Sequence, residues 1–449
     1  MEPSVRPPSV VFPTVMELRD SAPVIPRTGI RGTFSLLRRN KDFRRLYAAQ
    51  LISFGGDWFL LVALYGLVLD TTGSAFMASL VLVSQLIPFF LMSPVAGHLA
   101  DRLDRQRLMV GADLARTILC LGFLLVTGRN LIWLAFVLQA AIAVFNALFE
   151  PTSEAAIPNL VDPEDLPLAN TLMGSAWGTM LAVGAALGGA VAVVFGRNAA
   201  FIGDAVSFAL SALLLIRVRR PFSEERAEER IGLIDATAET VRYARRDHRV
   251  LALIAVKGGF GLAGGVLVLL PVFATQVFHK GDVGIGLLYG ARGLGALVGP
   301  FIGRRIAGTT QRGLFVAIGL ALLGFGVFYG VFALMPVLAL AALCSMAAHL
   351  GGGAQWTLST YGLQVLVPDR IRGRIFSFDF ALVTLSITLS NLLAGWAAEE
   401  FGPRPAMAGF GAVALLFAAG WSWATRGLRA TGAARLAREE GRPEAMRRA

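Results

Sequence analysis

The amino-acid sequence predicts an all-α membrane protein with twelve transmembrane helices arranged in two six-helix bundles. Three observations lead to this fold class. Of the 449 residues, 55% are hydrophobic and only 16% are charged, and the mean hydropathy of +0.64 lies outside the range of soluble domains. Twelve apolar windows are each long enough to cross a membrane. One long polar connection, from Arg217 to Arg249, divides these windows six and six.

Each window contains about 20 mostly apolar residues, the length that a helix rising about 1.5 Å per residue needs to cross roughly 30 Å of hydrocarbon. Short polar segments separate the windows and predict loops at the membrane surface. The predicted spans, in chain order, are 46–69, 75–97, 107–127, 131–149, 170–194, 198–217, 250–277, 283–303, 313–332, 336–360, 376–397 and 405–424.

The loop between the second and third spans sets the predicted orientation. It runs from Gly97 to Arg107, and its three arginines predict that it lies on the cytoplasmic side. Alternate loops along the chain are also rich in arginine. The acidic loop 150–169 has no lysine or arginine and is an exception, but acidic residues contribute little to topology. Both termini are therefore predicted to be cytoplasmic.

The predicted domains follow from the same windows. Residues 1–35 are rich in proline and lack the apolar core of a signal peptide, so we expect a disordered cytoplasmic tail. Residues 36–217 and 250–425 form the two bundles, joined by a cytoplasmic linker at 218–249, and residues 426–449 form a second cytoplasmic tail. Within the linker, the segment 233–246 places apolar residues on one helical face, which predicts a helix on the membrane surface.

Composition argues against several classes of protein. The net charge of +11 comes from arginines in short loops, so orientation in the bilayer explains it better than a nucleic-acid partner. Cys120 and Cys344 lie far apart in apolar spans, which argues against a disulfide framework. The four histidines lack metal-ligand spacing, and the sequence has no Walker loop or nucleophile elbow. We therefore expect no cofactor, no metal, no enzyme and no ATP-driven pump.

A weak internal repeat is typical of transporters built from two related halves. Gly97-x-x-x-Asp101-Arg102 has a counterpart in Gly299-x-x-x-Gly303-Arg304-Arg305. Leu160-Val161-Asp162-Pro163 has one in Leu366-Val367-Pro368-Asp369. Both pairs recur at an offset of about 200 residues in loops of equivalent rank.

The loop Gly97-x-x-x-Asp101-Arg102-x-x-Arg105-x-Arg107 resembles the signature between helices two and three of the major facilitator superfamily of secondary transporters. Further similarity is to the branch of enterobactin-type siderophore exporters and macrolide or multidrug efflux proteins. It lies in the segment 151–161, in Asp204-x-x-Ser207-Phe208 and in the segment 367–374. The resemblance covers residues 36–425 and implies two bundles that rock about a central site. It also implies a cytoplasmic latch formed by Gly97, Asp101, Arg102, Arg105 and Arg107.

The sequence departs from the family pattern in three places. Asp104 stands where the loop signature usually has glycine. The segment 131–149 lacks the arginine that many proton-coupled drug antiporters carry on the fourth helix. The fifth-helix antiporter motif survives only in part, at Gly184 to Gly189.

Charged residues inside the predicted spans are the strongest candidates for function, because a charge at a helix centre costs about 3 kcal/mol on insertion scales. Asp57 lies near the middle of the first span and Arg292 near the middle of the eighth. A carboxylate in a water-accessible cleft can bind a proton and release it on the other side, so we interpret Asp57 as the proton-coupling residue. A permanent ion pair or hydrogen bond is the alternative. Arg292 attracts an anionic group of the substrate, offsets Asp57, or forms a structural pair.

Other polar and aromatic side chains in the spans either line a cavity or join helices. The predicted substrate cavity comprises Arg292, Trp58, Gln85, Asn146 and Gln355. Asp113 and Arg116 are spaced i, i+3 on one helix, which predicts a structural charge pair. Lys257 is expected to extend its amine toward the cytoplasm.

The leading hypothesis is a monomeric, proton-driven exporter of amphipathic small molecules, such as siderophores or drugs, that works by alternating access. The transport alternatives are a lysophospholipid or lipid flippase and a solute importer. A membrane receptor that has lost transport is a further alternative, but it predicts no buried charges between the bundles, contrary to Asp57 and Arg292. Abundant arginine and alanine indicate a bacterium of high GC content, and hence the cytoplasmic membrane.

Overall fold

Within the described part of the chain, twelve helices are long and apolar enough to cross a membrane, and they follow one another as predicted. The computed structural model describes residues 30–162, 165–222, 242–243 and 246–428, and these ranges contain no strand. A short helix, Ile30–Arg39, precedes the first span. The spans are TM1 (Lys41–Thr72), TM2 (Ala75–Arg102), TM3 (Arg105–Gly122), TM4 (Ile132–Leu160), TM5 (Leu166–Phe195), TM6 (Arg197–Ile216), TM7 (His248–Leu262 and Val266–Val272), TM8 (Gly281–Ala307), TM9 (Gln311–Phe332), TM10 (Leu338–Leu366), TM11 (Asp369–Phe401) and TM12 (Pro403–Ala424).

The helices form two bundles, TM1–TM6 (the N bundle) and TM7–TM12 (the C bundle). In the N bundle, TM1 packs against TM5 and TM6, and TM3 packs against TM4 and TM6. In the C bundle, TM10 packs against TM8 and TM9, and TM7 packs against TM11. The bundles meet where TM5 contacts TM8 and where TM2 contacts TM11. We call the side that carries the loop from Gly97 to Arg107 the arginine-rich face, and the other side the opposite face.

Several helices extend beyond the apolar windows that predicted them. TM1 begins at Lys41 rather than 46, because the side chain of Asn40 accepts a hydrogen bond from the N–H of Phe43 at 2.9 Å. It ends before Gly73, whose φ of 66° is the left-handed conformation that favours glycine. Such polar end turns lie outside the hydrocarbon layer, so an apolar window does not include them.

TM7 is interrupted, whereas its apolar pattern predicts one continuous span. The first helix stops at 263–265, and the second ends in a π-helical turn, Phe273–Val277. TM11 satisfies the backbone groups that the interruption frees. The Ser390 hydroxyl accepts from the N–H of Gly265 at 2.7 Å and donates to the carbonyl of Leu262 at 2.6 Å.

A second backbone group of TM7 is satisfied from TM8. Pro271 has no N–H to offer the carbonyl of Leu267, four residues earlier in the helix. The Tyr289 hydroxyl donates to this carbonyl at 3.0 Å. Side chains of two neighbouring helices thus supply hydrogen bonds that the TM7 backbone lacks.

The predicted tails and linker fall largely outside the described ranges. Residues 1–29, 223–241 and 429–449 are not among the described residues, and the predicted surface helix at 233–246 lies mostly within the second of these segments.

Candidate functional site

A cluster of carboxyl groups surrounds one arginine in the N bundle. Arg116 of TM3 is 1% exposed, forms an ion pair with Asp113 of the same helix and donates a hydrogen bond to Asn146 of TM4. Its guanidinium lies between the rings of Phe149 and Phe208, with Cζ 4.5 Å and 4.2 Å from their centroids. Charge, hydrogen bonding and cation–π contact therefore all hold Arg116 in place.

Asp57 of TM1 lies at the edge of this cluster. Its electrostatic partners include Arg116 and Asn146. Its side chain is half-buried, whereas Asp113 is completely buried. Gly56, the residue before Asp57, must be glycine, because a Cβ there would overlap the side chain of Asp204 on TM6. The absence of that side chain lets TM1 and TM6 approach closely enough to bring their two carboxyl groups into one cluster.

Two further carboxyl groups complete the cluster, and the sequence did not identify them as a unit. Asp204 is completely buried and accepts hydrogen bonds from Cys120 Sγ at 3.1 Å and from Ser207 Oγ at 3.2 Å. Glu150 of TM4 interacts electrostatically with Asp57 and Arg116.

The charges of the cluster do not balance when every carboxyl group is ionised. Asp57, Asp113, Glu150 and Asp204 would then bring four negative charges against the one positive charge of Arg116, their shared basic partner among the described residues. A charge in an apolar interior is costly unless it is paired. Among the described residues, the cluster therefore has more carboxyl groups than basic partners.

The expectation that Lys257 extends to the cytoplasm is wrong. Its Nζ lies 2.5 Å from Asp379 Oδ2 of TM11 and 4.9 Å from the centroid of the Trp356 ring, and the residue is 5% exposed. A buried ammonium with a carboxylate partner has no need to reach the membrane surface. The pair joins TM7 to TM11 inside the C bundle.

Arg292 of TM8 lies at the contact between the bundles. Its Nε donates to Nε2 of His349 at 3.0 Å. The electrostatic partners of Arg292 include Tyr65, Tyr289 and Tyr329. Asp57 has different partners, which all lie in the N bundle. The structure therefore does not bring Arg292 and Asp57 together.

Aromatic side chains of both bundles meet beside Arg292. The ring of Tyr289 lies 5.7 Å from Trp58 and 6.1 Å from Tyr65, and Trp58 lies 6.4 Å from Trp177. We call Trp58, Tyr65, Trp177 and Tyr289 the aromatic cluster. Of the residues predicted for the cavity, Arg292 and Trp58 thus share one location.

The other three predicted cavity residues lie apart from that location. Gln85 of TM2 is half-buried, and Asn146 belongs to the carboxyl cluster. Gln355 is completely buried, and neither atom of its amide has a hydrogen-bond partner among the described residues. In this conformation Gln355 does not line an open surface.

The residues predicted as a latch lie at the arginine-rich ends of TM2 and TM3. The surroundings of Gly97 and the side chains of Asp101 and Arg102 are outside what the structure describes. Arg105 is buried and donates to the carbonyls of Ala155 at 2.9 Å and Phe222 at 3.1 Å. Both acceptors belong to the N-terminal half, so these two bonds hold the N bundle together rather than bridging the bundles.

Asp104 has a structural role in place of the glycine usual at its position. It caps TM3, because its side chain accepts a hydrogen bond from the N–H of Arg107 at 2.8 Å, while the Arg107 side chain is exposed.

The bundles are held against each other at the opposite face. Arg197, the first residue of TM6, contacts Asp282 of TM8 at 2.9 Å and Asp70 of TM1 at 2.5 Å. Glu399 of TM11 accepts hydrogen bonds from the hydroxyl of Ser74 and from the N–H of Phe76 at the start of TM2. These polar contacts at the helix ends therefore hold the two bundles together at the opposite face.

Below these polar contacts, TM5 and TM8 touch through glycine. A Cβ at Gly286 would lie 2.8 Å from the carbonyl oxygen of Ala185 and 3.0 Å from Cα of Gly189. A Cβ at Gly189 would lie 2.7 Å from the carbonyl oxygen of Asp282. We call this contact between the two backbones the glycine seam, and it has no room for a larger residue.

Replacing Gly286 by leucine is expected to open the opposite face. Overpacking of this kind typically costs about 1–3 kcal/mol, and the cost is relieved when the bundles part. The equilibrium between the closed and open forms of the opposite face should therefore shift toward the open form by about 5- to 150-fold. The readout is the labelling rate of a cysteine introduced at Ser79, which is completely buried where TM2 meets Gly395 of TM11. The protein is placed in nanodiscs and labelled with a hydrophilic maleimide, and the parent chain with its two buried cysteines gives the baseline.

Gly324→Leu on TM9 is the matched control, because a Cβ there would meet nothing within 4 Å. It is expected to leave the labelling rate unchanged. Equal labelling rates in the Gly286→Leu and Gly324→Leu variants would contradict the role of the glycine seam in closure.

Comparison with known proteins identifies the family of the chain. Residues 31–445 match a family described as "Transmembrane secretion effector". The enterobactin exporter EntS of Citrobacter koseri is 29% identical over 364 residues, which cover 76% of this chain and 81% of that protein. Macrolide efflux protein A of Streptococcus pyogenes is 21% identical over 372 residues, covering 80% and 90%. The MFS-type transporter YfiS of Bacillus subtilis (strain 168) is 26% identical over 215 residues, and this chain spans about half, 51%, of its length.

Solved structures share the fold. The crystal structure of a bacterial homolog to the human lysosomal transporter Spinster aligns with a TM-score of 0.67, covering 89% of this chain and 98% of that chain. The two sequences are 16% identical, so the likeness shows a shared fold alone.

Proposed function

The chain belongs to the transmembrane secretion effector family of the major facilitator superfamily, and from that premise we propose that it is a proton-driven exporter of amphipathic small molecules. It is a multi-pass membrane protein that transports a small molecule. Outward transport is supported by relatives that are named for the export of enterobactin and the efflux of macrolides. The proposed location is the bacterial cytoplasmic membrane, with a monomeric chain and both termini in the cytoplasm.

The observation that carries the proposal is the excess of carboxyl groups around Arg116. A cluster that holds protons in a transporter without a nucleotide-binding motif offers a route for coupling to a proton gradient. Asp57 is the proposed coupling residue for two reasons. It is half-buried, as Glu150 is, while Asp113 and Asp204 are completely buried. It also directly precedes Trp58, which contacts Tyr289 of the other bundle. A half-buried carboxyl group can exchange its proton with water when the bundles part beside it.

In the proposed cycle, residues 36–217 and 250–425 rock as two bodies, and the linker at 218–249 connects them. The conformation described here is closed at the opposite face by Arg197 and the glycine seam. Protonation of the carboxyl cluster from the opposite face alternates with binding of the exported molecule from the arginine-rich face. While the opposite face is open, the exported molecule leaves through it and protons enter through it.

Reconstitution into liposomes that contain a pH-sensitive dye tests this proposal. Siderophores, macrolides, cationic dyes and lysolipids are added in turn under an imposed proton gradient. We expect at least one siderophore, macrolide or dye to cause proton movement that liposomes without the protein do not show. A response to lysolipids alone would favour lipid transport, and substrate movement without any proton movement would contradict antiport.

A further inference from the structure

Arg292 is a buried cation that has no carboxylate partner among the described residues. It is 8% exposed, and its one described hydrogen bond runs from Nε to Nε2 of His349 at 3.0 Å. A guanidinium has five N–H donors, so the four on its two terminal nitrogens make no hydrogen bond to a described residue. Neither terminal nitrogen is fully enclosed by protein atoms, so both remain accessible from the adjoining space.

The histidine beside Arg292 offers no compensating charge. Because Nε2 of His349 accepts a hydrogen bond, the ring carries its proton on Nδ1 and is neutral. Nδ1 lies 3.1 Å from the hydroxyl of Tyr329 and 3.3 Å from the carbonyl oxygen of Ser345. The groups facing Arg292 from TM1, TM8, TM9 and TM10 are thus three tyrosine hydroxyls and one neutral imidazole. The positive charge stays unbalanced within the described residues.

The position of Arg292 in TM8 directs it to the space between the bundles. Tyr289, one turn before it, contacts Trp58 and Tyr65 of TM1 in the other bundle. Gly293, the next residue, lies against the backbone of Ala182 in TM5, where a Cβ would overlap. A molecule bound to the terminal nitrogens of Arg292 would therefore lie between the bundles, with the aromatic cluster beside it.

We propose that Arg292 binds an acidic group of the transported molecule, which makes the substrate class amphipathic organic anions. The inference rests on the proposed transport function and adds the charge of the substrate. A buried guanidinium is unfavourable unless an anion balances its charge, and an acidic group offers two oxygens that match its paired N–H donors. The apolar part of the molecule packs on the aromatic cluster. His349 is a positioning residue, because it holds Nε and leaves the terminal nitrogens free.

Binding of a matched pair of fluorescent probes tests the inference. N-dansyl-leucine carries a carboxylate, and N-dansyl-leucinamide has the same apolar body without the charge. Energy transfer from tryptophan to dansyl reports binding to the full-length protein in nanodiscs. We expect the wild type to bind the acid about tenfold or more tightly than the amide, since hydrogen bonds to charged groups are the strong ones.

Arg292→Gln is expected to remove this preference by weakening the acid alone, and Arg292→Lys, which keeps the charge, is expected to retain part of it. Arg304→Gln, an exposed arginine of the same helix, is the matched control and should keep the full preference. His349→Gln keeps an acceptor for Nε and should preserve the preference, whereas His349→Leu should reduce it. Each variant is compared only if it elutes as a single monodisperse species.

The inference is overturned if the wild type binds the two probes equally, including no measurable binding of either, or if Arg292→Gln keeps the preference. Failure here is distinct from failure of the transport proposal. Proton-linked movement of a neutral substrate, lost in Asp57→Asn, would support antiport while refuting the anion site. An Arg292-dependent preference for the acid without any proton movement would support the anion site while refuting antiport.

Discussion

Asp57→Asn is expected to abolish substrate-linked proton movement, down to the level of liposomes without protein. Asparagine has the same size as aspartate and keeps a hydrogen-bonding partner for Asn146, but it cannot take up a proton. Asp113 and Asp204 are completely buried and are held by Arg116 and Cys120 respectively, whereas Asp57 and Glu150 are half-buried. The measurement is dye-reported proton flux in liposomes, with the substrate that gives the largest response in the wild type.

Glu400→Gln is the control for this prediction, because Glu400 is an exposed carboxyl group at the end of TM11, outside the N bundle that contains the cluster. Its proton flux should equal that of the wild type. If Asp57→Asn retains full substrate-linked flux, Asp57 is not the coupling residue, and Asp113 and Asp204 become the candidates. Binding of the substrate by Asp57→Asn, measured without a gradient, separates loss of coupling from loss of the site.

Arg116→Met is expected to lower the stability of the protein by about 3–5 kcal/mol, the usual cost of removing one partner of a buried ion pair. Methionine fills a similar volume between Phe149 and Phe208, but Asp113 then lacks its counter-ion. Replacing Asp113 by leucine in the same chain is expected to restore part of the loss, because an apolar pair avoids the uncompensated charge. The midpoint of thermal unfolding in detergent gives the comparison.

Recovery in the double variant should be incomplete, because Arg116 also offsets the charge of Asp57, Glu150 and Asp204. Arg107→Met, at an exposed position of the same helix, controls for loss of an arginine and should change stability by about 0.5 kcal/mol or less. An Arg116→Met variant as stable as the parent would mean that the cluster does not depend on its cation.

The number of membrane-spanning helices was predictable because the hydropathy of a span depends on consecutive residues. Twelve windows gave twelve spans, and local spacing places Asp113 beside Arg116 on one helix. The interruption of TM7 was not predicted, because the segment is long and apolar enough for one continuous span, although the five glycines between 258 and 265 weaken a helix there. Its freed backbone groups are satisfied by Ser390, more than a hundred positions away in sequence.

The candidate site was only partly predictable. Asp57 and Arg292 stood out as charges inside apolar windows, but the sequence does not say which face of a helix meets which neighbour when the helix is apolar on every side. Contacts between distant helices, such as Lys257 with Asp379 and Arg197 with Asp282, were missed for the same reason. Arg197 is the first residue of TM6, where a charged residue is ordinary, so it does not stand out in the sequence.

The glycine seam also bears on how accurately the two halves return to each other after each transport cycle. At Gly189 and Gly286 the backbones meet without side chains and no larger residue fits, so the contact forms only when these two glycines face each other. The ends of the helices give a second reference, where Arg197 engages two carboxylates and Glu399 engages the start of TM2. In the proposed cycle, the halves therefore return to one alignment, which close backbone contact and matched charges both define.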